Sequence, residues 1–190
     1  TESLAIAADV EARGGEYLEA PVLGSVPQVR DGVLQVLVGG TAEQAQRYSK
    51  ILGAVGSVTY VGPLGTAAAL KLALNQLIPS LIAAFSLSWG MIRRAGVDPE
   101  IFLGILRKSA LFAPTFDAKL PKIASRDFGD PNFPAELMAK DCGLIVDECE
   151  RLGLDTMVAR AIADLVARTV LEGHGREDYS AMAAVIDPAG

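Results

Sequence analysis

Lys71 is the residue whose sequence surroundings point most clearly to chemistry. It is the only charged residue between Lys50 and Arg93, and it lies early in an apolar stretch of helical character. An ammonium group removed from water without a partner is costly, so such a lysine needs a polar neighbour or a cleft. Asn75, four residues on, shares its helix face, and Pro79 cannot donate a hydrogen bond to the Asn75 carbonyl. An amine, an amide and an unpaired carbonyl therefore form one polar stripe.

Two interpretations of this stripe remain open. Lys71 is either part of a catalytic or binding site, or a lysine whose aliphatic stem lies along the helix while its charged end reaches water. The residue types and their spacing do not separate the two.

Two further segments could contribute polar groups. Gly24 and Ser25 follow a short β-rich run, and successive backbone N–H groups there could bind a carboxylate. An ordinary strand-to-loop turn would look the same. Lys140 and Asp141 stand next to each other near the start of a helical segment, where neighbouring opposite charges are also common on solvated faces.

Cysteine and histidine are too few to indicate a metal site. The chain has two cysteines, Cys142 and Cys149, and one histidine, His174. Two helical turns separate the cysteines, which is too far for a disulfide. We expect two reduced thiols, a cytoplasmic location and no bound metal.

The elements that must position these residues fall into two parts. Residues 1–64 alternate helix and strand, which is typical of the edge of an α/β sheet. Residues 65–190 are helical, starting with a predicted helix over residues 66–95 that Pro79 should kink. The sequence thus predicts a mixed fold, a short α/β segment followed by an all-α domain built on a long central helix.

Local signals define several shorter elements. We expect a helix over residues 3–13, strands over 17–22, 33–38 and 57–61, a loop over 23–32, and a helix that Thr41 and Gln44 cap. Asp98 and Pro99 should start another helix. We expect prolines to break residues 112–133, with helices over 136–152, 156–171 and 179–185.

Composition argues against two classes of partner, nucleic acid and membrane. The formal net charge is −6 and no basic cluster is present, which argues against nucleic acid. Residues 72–92 carry no charge and are long enough to span a bilayer, but they contain Asn75, Gln76, Pro79 and three serines. A buried central helix is the favoured interpretation.

Five motifs in order resemble the β-hydroxyacid dehydrogenase family, over nearly the whole chain. The family includes 3-hydroxyisobutyrate dehydrogenases and glyoxylate/succinic semialdehyde reductases. The motifs are residues 19–25 (EAPVLGS), 31–40 (DGVLQVLVGG), 65–75 (GTAAALKLALN), Phe133 with Lys140-Asp141, and GHG at 173–175 with DYSA at 178–181.

The resemblance implies a fold and a cofactor. Such proteins begin with a Rossmann domain that carries G-x-G-x-x-G, and this motif is absent here. We therefore expect residues 1–64 to be the C-terminal part of an NAD(P)-binding Rossmann domain and residues 65–190 to be the helical dehydrogenase domain. NAD or NADP would bind mainly to an absent N-terminal part, so we expect a fragment that is inactive alone.

The resemblance also implies residue roles. Lys71 would be the general acid in reduction and the base in oxidation, and Asn75 would orient it or the substrate. Gly24 and Ser25 would hold the substrate carboxylate, and Phe133 would wall the pocket. Lys140 would approach the cofactor, with Asp141 fixing the geometry nearby.

One position departs from the family pattern. Leu23 occupies the place of the loop serine that binds the carboxylate. Either Ser25 substitutes for it, or the substrate is larger and less polar, or the usual activity is lost. Leu74, where a histidine would stand, argues against the 6-phosphogluconate branch.

Three hypotheses follow. The first is an NAD(P)-dependent reductase or dehydrogenase of a small aldehyde, keto acid or hydroxyacid, acting as a homodimer. The second is a non-catalytic module that binds a ligand or mediates dimerisation. The third, which the polar residues of segment 72–92 disfavour, is a membrane span.

Overall fold

The structure is a computed structural model, and it describes residues 2–188. The chain divides into two compact units, residues 1–74 and 75–190, with the boundary inside one helix. The expected domain boundary between residues 64 and 65 stays a prediction. Each unit is described separately below.

A three-stranded sheet organises the first unit. Its middle strand pairs antiparallel with the first strand and parallel with the third, so the order is β1-β2-β3. A helix connects the parallel pair, as such a connection requires. The elements are α1 (Glu2–Ala12), β1 (Val22–Leu23), α2 (Val26–Arg30), β2 (Leu34–Gly39), α3 (Ala42–Leu52) and β3 (Gly56–Gly62).

The start of α3 confirms a local prediction. The Gln44 N–H donates to Thr41 Oγ1 at 3.1 Å, and the Thr41 N–H donates to Gln44 Oε1 at 2.9 Å. This reciprocal capping box satisfies two N–H groups that the helix itself cannot pair. Ala45, on the inner face of α3, then packs with Val36 and Val38 of β2 in a small core.

Two predictions about residues 17–32 were wrong. Residues 17–22 do not form a strand throughout, because Pro21 has no N–H to continue the ladder. Pairing is limited to β1 and an isolated bridge between Glu19 and Gly39. The expected loop at 23–32 contains α2, which ends at Arg30.

A helix of 29 residues, α4 (Thr66–Arg94), contains Pro79 and ends one residue earlier than predicted. Gly96, at φ 72°, ends the helix in the left-handed conformation that glycine tolerates. The helix is not buried on all sides, contrary to expectation. Ile82, Phe85 and Trp89 are buried, whereas an opposite apolar face is exposed.

Helix α4 is also the one helix among residues 2–188 that is long and apolar enough to cross a membrane. Its mean hydropathy in the most apolar window is 1.5, and 28% of that window is buried. Core helices of soluble proteins have the same length and composition, so this property does not by itself indicate a membrane.

The second unit is helical. Asp98 caps α5 by accepting from the Glu100 N–H at 2.9 Å, as predicted. Buried side chains of α4, α5, α6, α7 and α8 form its core with the last two elements. The elements are α5 (Pro99–Leu106), α6 (Pro114–Ser125), α7 (Ala135–Arg151), α8 (Met157–Thr169), a π-helical turn (Val170–His174), a 3-10 turn (Tyr179–Ala181) and α9 (Met182–Ile186).

Residues 112–133 differ from the expected broken segment. Pro114 starts α6 at a position where no N–H is needed, and Pro121 lies inside the helix without ending it. Pro121 and Asp117, four residues earlier, are both exposed, so water can solvate the carbonyl that Pro121 leaves unpaired.

Candidate active site

The stripe predicted on α4 exists, and its residues differ in burial. Asn75 is 4% exposed and Pro79 is fully buried, whereas Lys71 is half-buried and makes at least one specific interaction. Four residues separate each from the next, so the three follow one face of the helix. Lys71 lies near the end of the first unit, which runs to residue 74, and Asn75 begins the second.

Asn75 is fixed by a hydrogen bond that it donates to a residue 66 positions further along the chain. Its Nδ2 donates to Oδ2 of Asp141, on α7, at 2.9 Å. The Asn75 Oδ1 atom is buried and has no partner among the residues that the structure describes. A buried amide oxygen without a partner costs free energy, so this atom is available to accept from an amine or a hydroxyl.

Asp141 also meets Lys140, its neighbour in the chain. Lys140 Nζ lies 3.4 Å from Asp141 Oδ1, and the Lys140 side chain is 67% exposed whereas that of Asp141 is 17% exposed. One carboxylate therefore joins a buried amide to an exposed cation. The structure brings together Asn75, Lys140 and Asp141 of the predicted site residues.

Phe133 lies just before α7, partly buried against the core of the second unit. Its ring meets that of Tyr179 edge-on, with centroids 6.1 Å apart and planes at 64°. The Tyr179 N–H donates to the Phe133 carbonyl at 3.0 Å. Phe133 is thus held at both backbone and ring.

In the loop predicted to hold a carboxylate, both donors of Ser25 are engaged. Both the N–H and the hydroxyl of Ser25 donate to Gln28 Oε1, each at 2.9 Å. Gly24 has φ 128°, and a Cβ there would lie 2.6 Å from Leu34 Cδ2, so glycine is needed. A carboxylate would have to displace Gln28 to reach Ser25.

Sequence reasoning missed a role for Glu19, which is 3% exposed. Its Oε2 accepts from the N–H groups of Gly65 at 3.0 Å and Ala68 at 3.3 Å, at the start of α4. A Cβ on Gly39 would lie 2.5 Å from the same oxygen. An acidic residue in an apolar segment was the available signal, but nothing in the sequence linked it to a helix 46 residues away.

A buried ion pair was missed as well. Lys119 Nζ lies 2.6 Å from Asp178 Oδ2, and these residues are 7% and 0% exposed. Two sequence features could have indicated this pair: a lysine beside apolar residues of α6, and the DYSA motif at 178–181.

The two cysteines differ in burial, since Cys142 is buried and Cys149 is half-buried. Cys142 and Cys149 are both free, and burial, with a smaller contribution from the Asp141 charge, raises the pKa of Cys142 to about 11. Within residues 2–188, no group of three or more His, Cys, Asp or Glu side chains could hold a metal ion.

Two family models match the chain. One, for the NAD-binding of NADP-dependent 3-hydroxyisobutyrate dehydrogenase, matches residues 65–186. The other, for the NAD binding domain of 6-phosphogluconate dehydrogenase, matches residues 1–62. The second match conflicts with the expectation that the chain lacks the main cofactor-binding half.

Curated relatives are similar over nearly the whole chain. Glyoxylate/succinic semialdehyde reductase 2, chloroplastic, of Arabidopsis thaliana is 28% identical over 98% of the chain and 52% of its own length. Human mitochondrial 3-hydroxyisobutyrate dehydrogenase is 28% identical over 93% of the chain and 55% of its own length. The chain thus spans about half the length of these relatives.

Solved structures show the same fold. A 3-hydroxyisobutyrate dehydrogenase of Mycobacterium tuberculosis, solved with L-serine, matches 97% of the chain at a TM-score of 0.88 and 22% identity. A 3-hydroxyisobutyrate dehydrogenase of Salmonella typhimurium matches 97% at a TM-score of 0.84 and 23% identity. These matches cover 66% and 65% of the respective chains, and at this identity they show the fold alone.

Proposed function

Because the chain belongs to the β-hydroxyacid dehydrogenase family, we propose that it acts in an oxidoreductase that transfers a hydride between NAD or NADP and a small carbonyl or hydroxyacid. The observation that carries the proposal is the buried Asn75, whose amide Asp141 fixes one helical turn after Lys71. Most buried amides have both ends paired, whereas the oxygen of this one has no described partner and can accept a hydrogen bond from a ligand.

The arrangement fits a nicotinamide cofactor, which would supply the hydride. Lys140, 67% exposed and 3.4 Å from Asp141, keeps donors for a polar group of the cofactor. The β2–α3–β3 unit, a parallel strand pair joined by a helix, is typical of the end of a Rossmann sheet, and residues 1–62 match an NAD-binding family model. That origin of the sheet is part of the proposal.

Each site residue then has a chemical role. When a carbonyl is reduced, negative charge develops on its oxygen, and Lys71 stabilises that charge and gives the oxygen a proton. In oxidation Lys71 accepts the proton. Asn75 Oδ1 accepts from the lysine amine or the substrate hydroxyl, and Asp141 keeps the amide in the orientation that allows it. Phe133 supplies an apolar wall.

The loop geometry favours one substrate class. Leu23 offers no hydroxyl, and the Ser25 donors are bonded to Gln28, so Ser25 is poorly placed to replace the missing serine. We favour a substrate with an apolar substituent beside Leu23 over a small, strongly polar hydroxyacid. Loss of activity remains the competing explanation.

A non-catalytic module is the second candidate, and two observations favour it. Leu23 removes an expected carboxylate donor, and α4 exposes an apolar face that a second copy could cover. Either function is compatible with a cytoplasmic homodimer that binds neither nucleic acid nor membrane, and all of these remain predictions.

A substrate screen on the full-length protein tests the proposal. Nicotinamide absorbance is followed with glyoxylate, succinic semialdehyde and bulkier, less polar carbonyls. Lys71→Ala should reduce turnover by ~10²-fold or more, because a general acid typically contributes that much. Lys50→Ala, at an exposed lysine of α3, is the matched control and should leave turnover unchanged.

Unchanged turnover in Lys71→Ala would remove that residue from the mechanism. A protein that binds cofactor but turns over none of the carbonyls would favour the non-catalytic candidate.

A further inference from the structure

The DYSA motif at 178–181 builds a buried polar centre in the second unit. The Asp178 carboxylate, fully buried, accepts four hydrogen bonds. Lys119 Nζ and the Asn132 N–H donate to Oδ2 at 2.6 and 3.3 Å. The Ser180 N–H and hydroxyl donate to Oδ1 at 3.1 and 2.7 Å. Both oxygens of this carboxylate are therefore saturated by groups from three separate segments.

The Asp178 carboxylate is held in its ionised form. Burial alone would raise the pKa of Asp178, but the hydrogen bonds from Lys119 and Ser180 outweigh burial and lower the pKa. Lys119 Nζ also lies 4.6 Å from the centroid of the Tyr179 ring, a favourable position for a cation. Buried ion pairs contribute little net stability compared with apolar side chains of similar volume, so fold stability is a weak explanation for this pair.

Backbone hydrogen bonds around Asp178 join residues 128–136 to residues 175–179. The Asp178 N–H donates to the Phe128 carbonyl at 2.9 Å, and the Tyr179 N–H donates to the Phe133 carbonyl at 3.0 Å. The N–H groups of Ala135 and Glu136 donate to carbonyls of residues 177 and 175, each at 2.9 Å. No side chain caps α7, so these two carbonyls satisfy its first N–H groups.

Phe133 lies in the middle of residues 128–136, the first of these two joined segments. Its carbonyl is bonded to Tyr179, its ring meets the Tyr179 ring, and the preceding N–H, that of Asn132, is bonded to the Asp178 carboxylate. The side chain therefore has its position set by the Asp178 centre. Asp141 lies six residues into α7, about 9 Å along the helix axis at 1.5 Å per residue, and is less directly constrained.

We propose that Asp178, together with Lys119, is a positioning residue that holds Phe133 as the wall of the substrate pocket and so sets substrate affinity. This inference rests on the proposed function, because Phe133 has a substrate to contact only if the protein binds one. The pair acts through Phe133 and does not touch the reacting atoms.

The test uses the full-length enzyme with its best carbonyl substrate. Asp178→Asn keeps the shape of the side chain, and the double variant Lys119→Met/Asp178→Asn also removes the buried charge that the single variant leaves unpaired. In whichever variant folds, we expect KM to rise by ~10-fold or more and kcat to change by less than about 3-fold, because misplaced binding groups weaken binding while Lys71 is untouched.

The matched control is Asp117→Asn, on the same helix as Lys119. Asp117 forms an ion pair with Arg107 at 2.8 Å, and their side chains are 42% and 41% exposed. Asp117 has no described contact with residues 128–136. This variant loses the same charge and should keep its KM.

A double-mutant cycle with Phe133→Ala separates positioning from a general loss of structure. If Asp178 acts through Phe133, adding the Asp178 change to Phe133→Ala should raise KM no further. Independent, multiplying effects on KM would overturn the proposal, as would an unchanged KM in a folded variant.

Amide hydrogen exchange is measured without substrate, so it tests the positioning role of Asp178 whether or not the protein is an enzyme. The amides of Asn132, Ala135 and Tyr179 should exchange faster in the Asp178 variants than in Asp117→Asn. Unchanged exchange there would overturn the inference even in an active enzyme. A wild-type protein with no turnover would overturn the proposed function, while faster exchange would still establish that Asp178 holds the segment.

Discussion

At the scale of single residues, the pairing of Asn75 with Asp141 leaves a hydrogen-bond acceptor for a ligand. Asp141 accepts from one end of the Asn75 amide, and the other end keeps a buried oxygen without a described partner. Leaving a buried acceptor unpaired costs ~1–3 kcal/mol, so selection for stability alone would tend to pair or remove it. A bound amine or hydroxyl that pairs with Oδ1 would recover this free energy.

Cys142, next to Asp141 in the chain, can report the charge of that carboxylate. Burial, and to a smaller extent Asp141, raises the pKa of Cys142 to about 11. At pH 8 the thiol should therefore react slowly with alkylating reagents, because the thiolate is the reactive form. Asp141→Asn should lower this pKa only in part, since burial is the larger cause.

The alkylation rate is measured as a function of pH in a Cys149→Ser background, so that Cys142 is the only thiol. Fast alkylation of the folded protein at pH 8 would contradict the expected burial. A rate profile identical in Asp141→Asn would show that Asp141 carries no charge near the thiol.

At the scale of elements, the start of α4 depends on a residue far away in the sequence. The helix is preceded by Gly65, which has no side chain to cap it, and Glu19 accepts from the Gly65 N–H and from the Ala68 N–H in the first turn of the helix. A carboxylate at this end also interacts favourably with the helix dipole. The helix that carries Lys71 is thereby fixed to the β-sheet segment within the first unit.

Replacing Glu19 should therefore destabilise this unit. Glu19→Ala leaves the Gly65 and Ala68 N–H groups without their acceptor, and we expect the free energy of unfolding to fall by ~2 kcal/mol. Glu19→Gln keeps an acceptor oxygen and should cost less. Chemical denaturation gives the free energies, and hydrogen exchange should be faster at the amides of Gly65 and Ala68.

Glu11→Gln serves as the control for the loss of an acidic residue, because Glu11 is exposed on α1. Equal stability of Glu19→Ala and Glu11→Gln would show that the hydrogen bonds to Glu19 contribute nothing to the fold.

At the scale of the whole molecule, α4 exposes an apolar face that no described part of the chain covers. Leu77, Leu87 and Met91 are 48%, 55% and 64% exposed. With Ala73 and Ala84, also exposed, they follow spacings of four, seven, three and four residues, so they lie on one side of the helix. An exposed apolar stripe of this kind marks an interaction surface, and most soluble oligomers are symmetric assemblies of one chain.

We therefore expect a homodimer that depends on this face. Leu87→Ser/Met91→Ser should shift the protein towards monomer, because burial of these two side chains would be lost. Light scattering at micromolar concentration measures the change. Ile51→Ser, at a residue 71% exposed on α3, is the control and should leave the mass unchanged. A wild-type monomer would contradict the prediction, and a protein soluble only in detergent would favour a membrane role for α4.

The sequence alone determined those elements whose signals are local. Thr41 and Gln44 predicted the start of α3, Asp98 predicted that of α5, and the uncharged run after Lys71 predicted α4, because capping and periodicity act over a few residues. The position of Lys71 relative to Asn75 followed from helix geometry in the same way. Fold class and family were accessible for a related reason, since motif order along a chain is itself sequence information.

Only the tertiary structure decided which distant groups meet. The bonds of Glu19 to the start of α4, of Asp141 to Asn75, and of Lys119 to Asp178 join residues 46 to 66 positions apart, and no local pattern encodes such a pairing. The structure also decided that Pro121 lies within a helix and that Ser25 is bonded to Gln28. Burial and hydrogen-bond satisfaction are properties of the packed chain, so a buried atom without a described partner, such as Asn75 Oδ1, becomes visible only once the chain is folded.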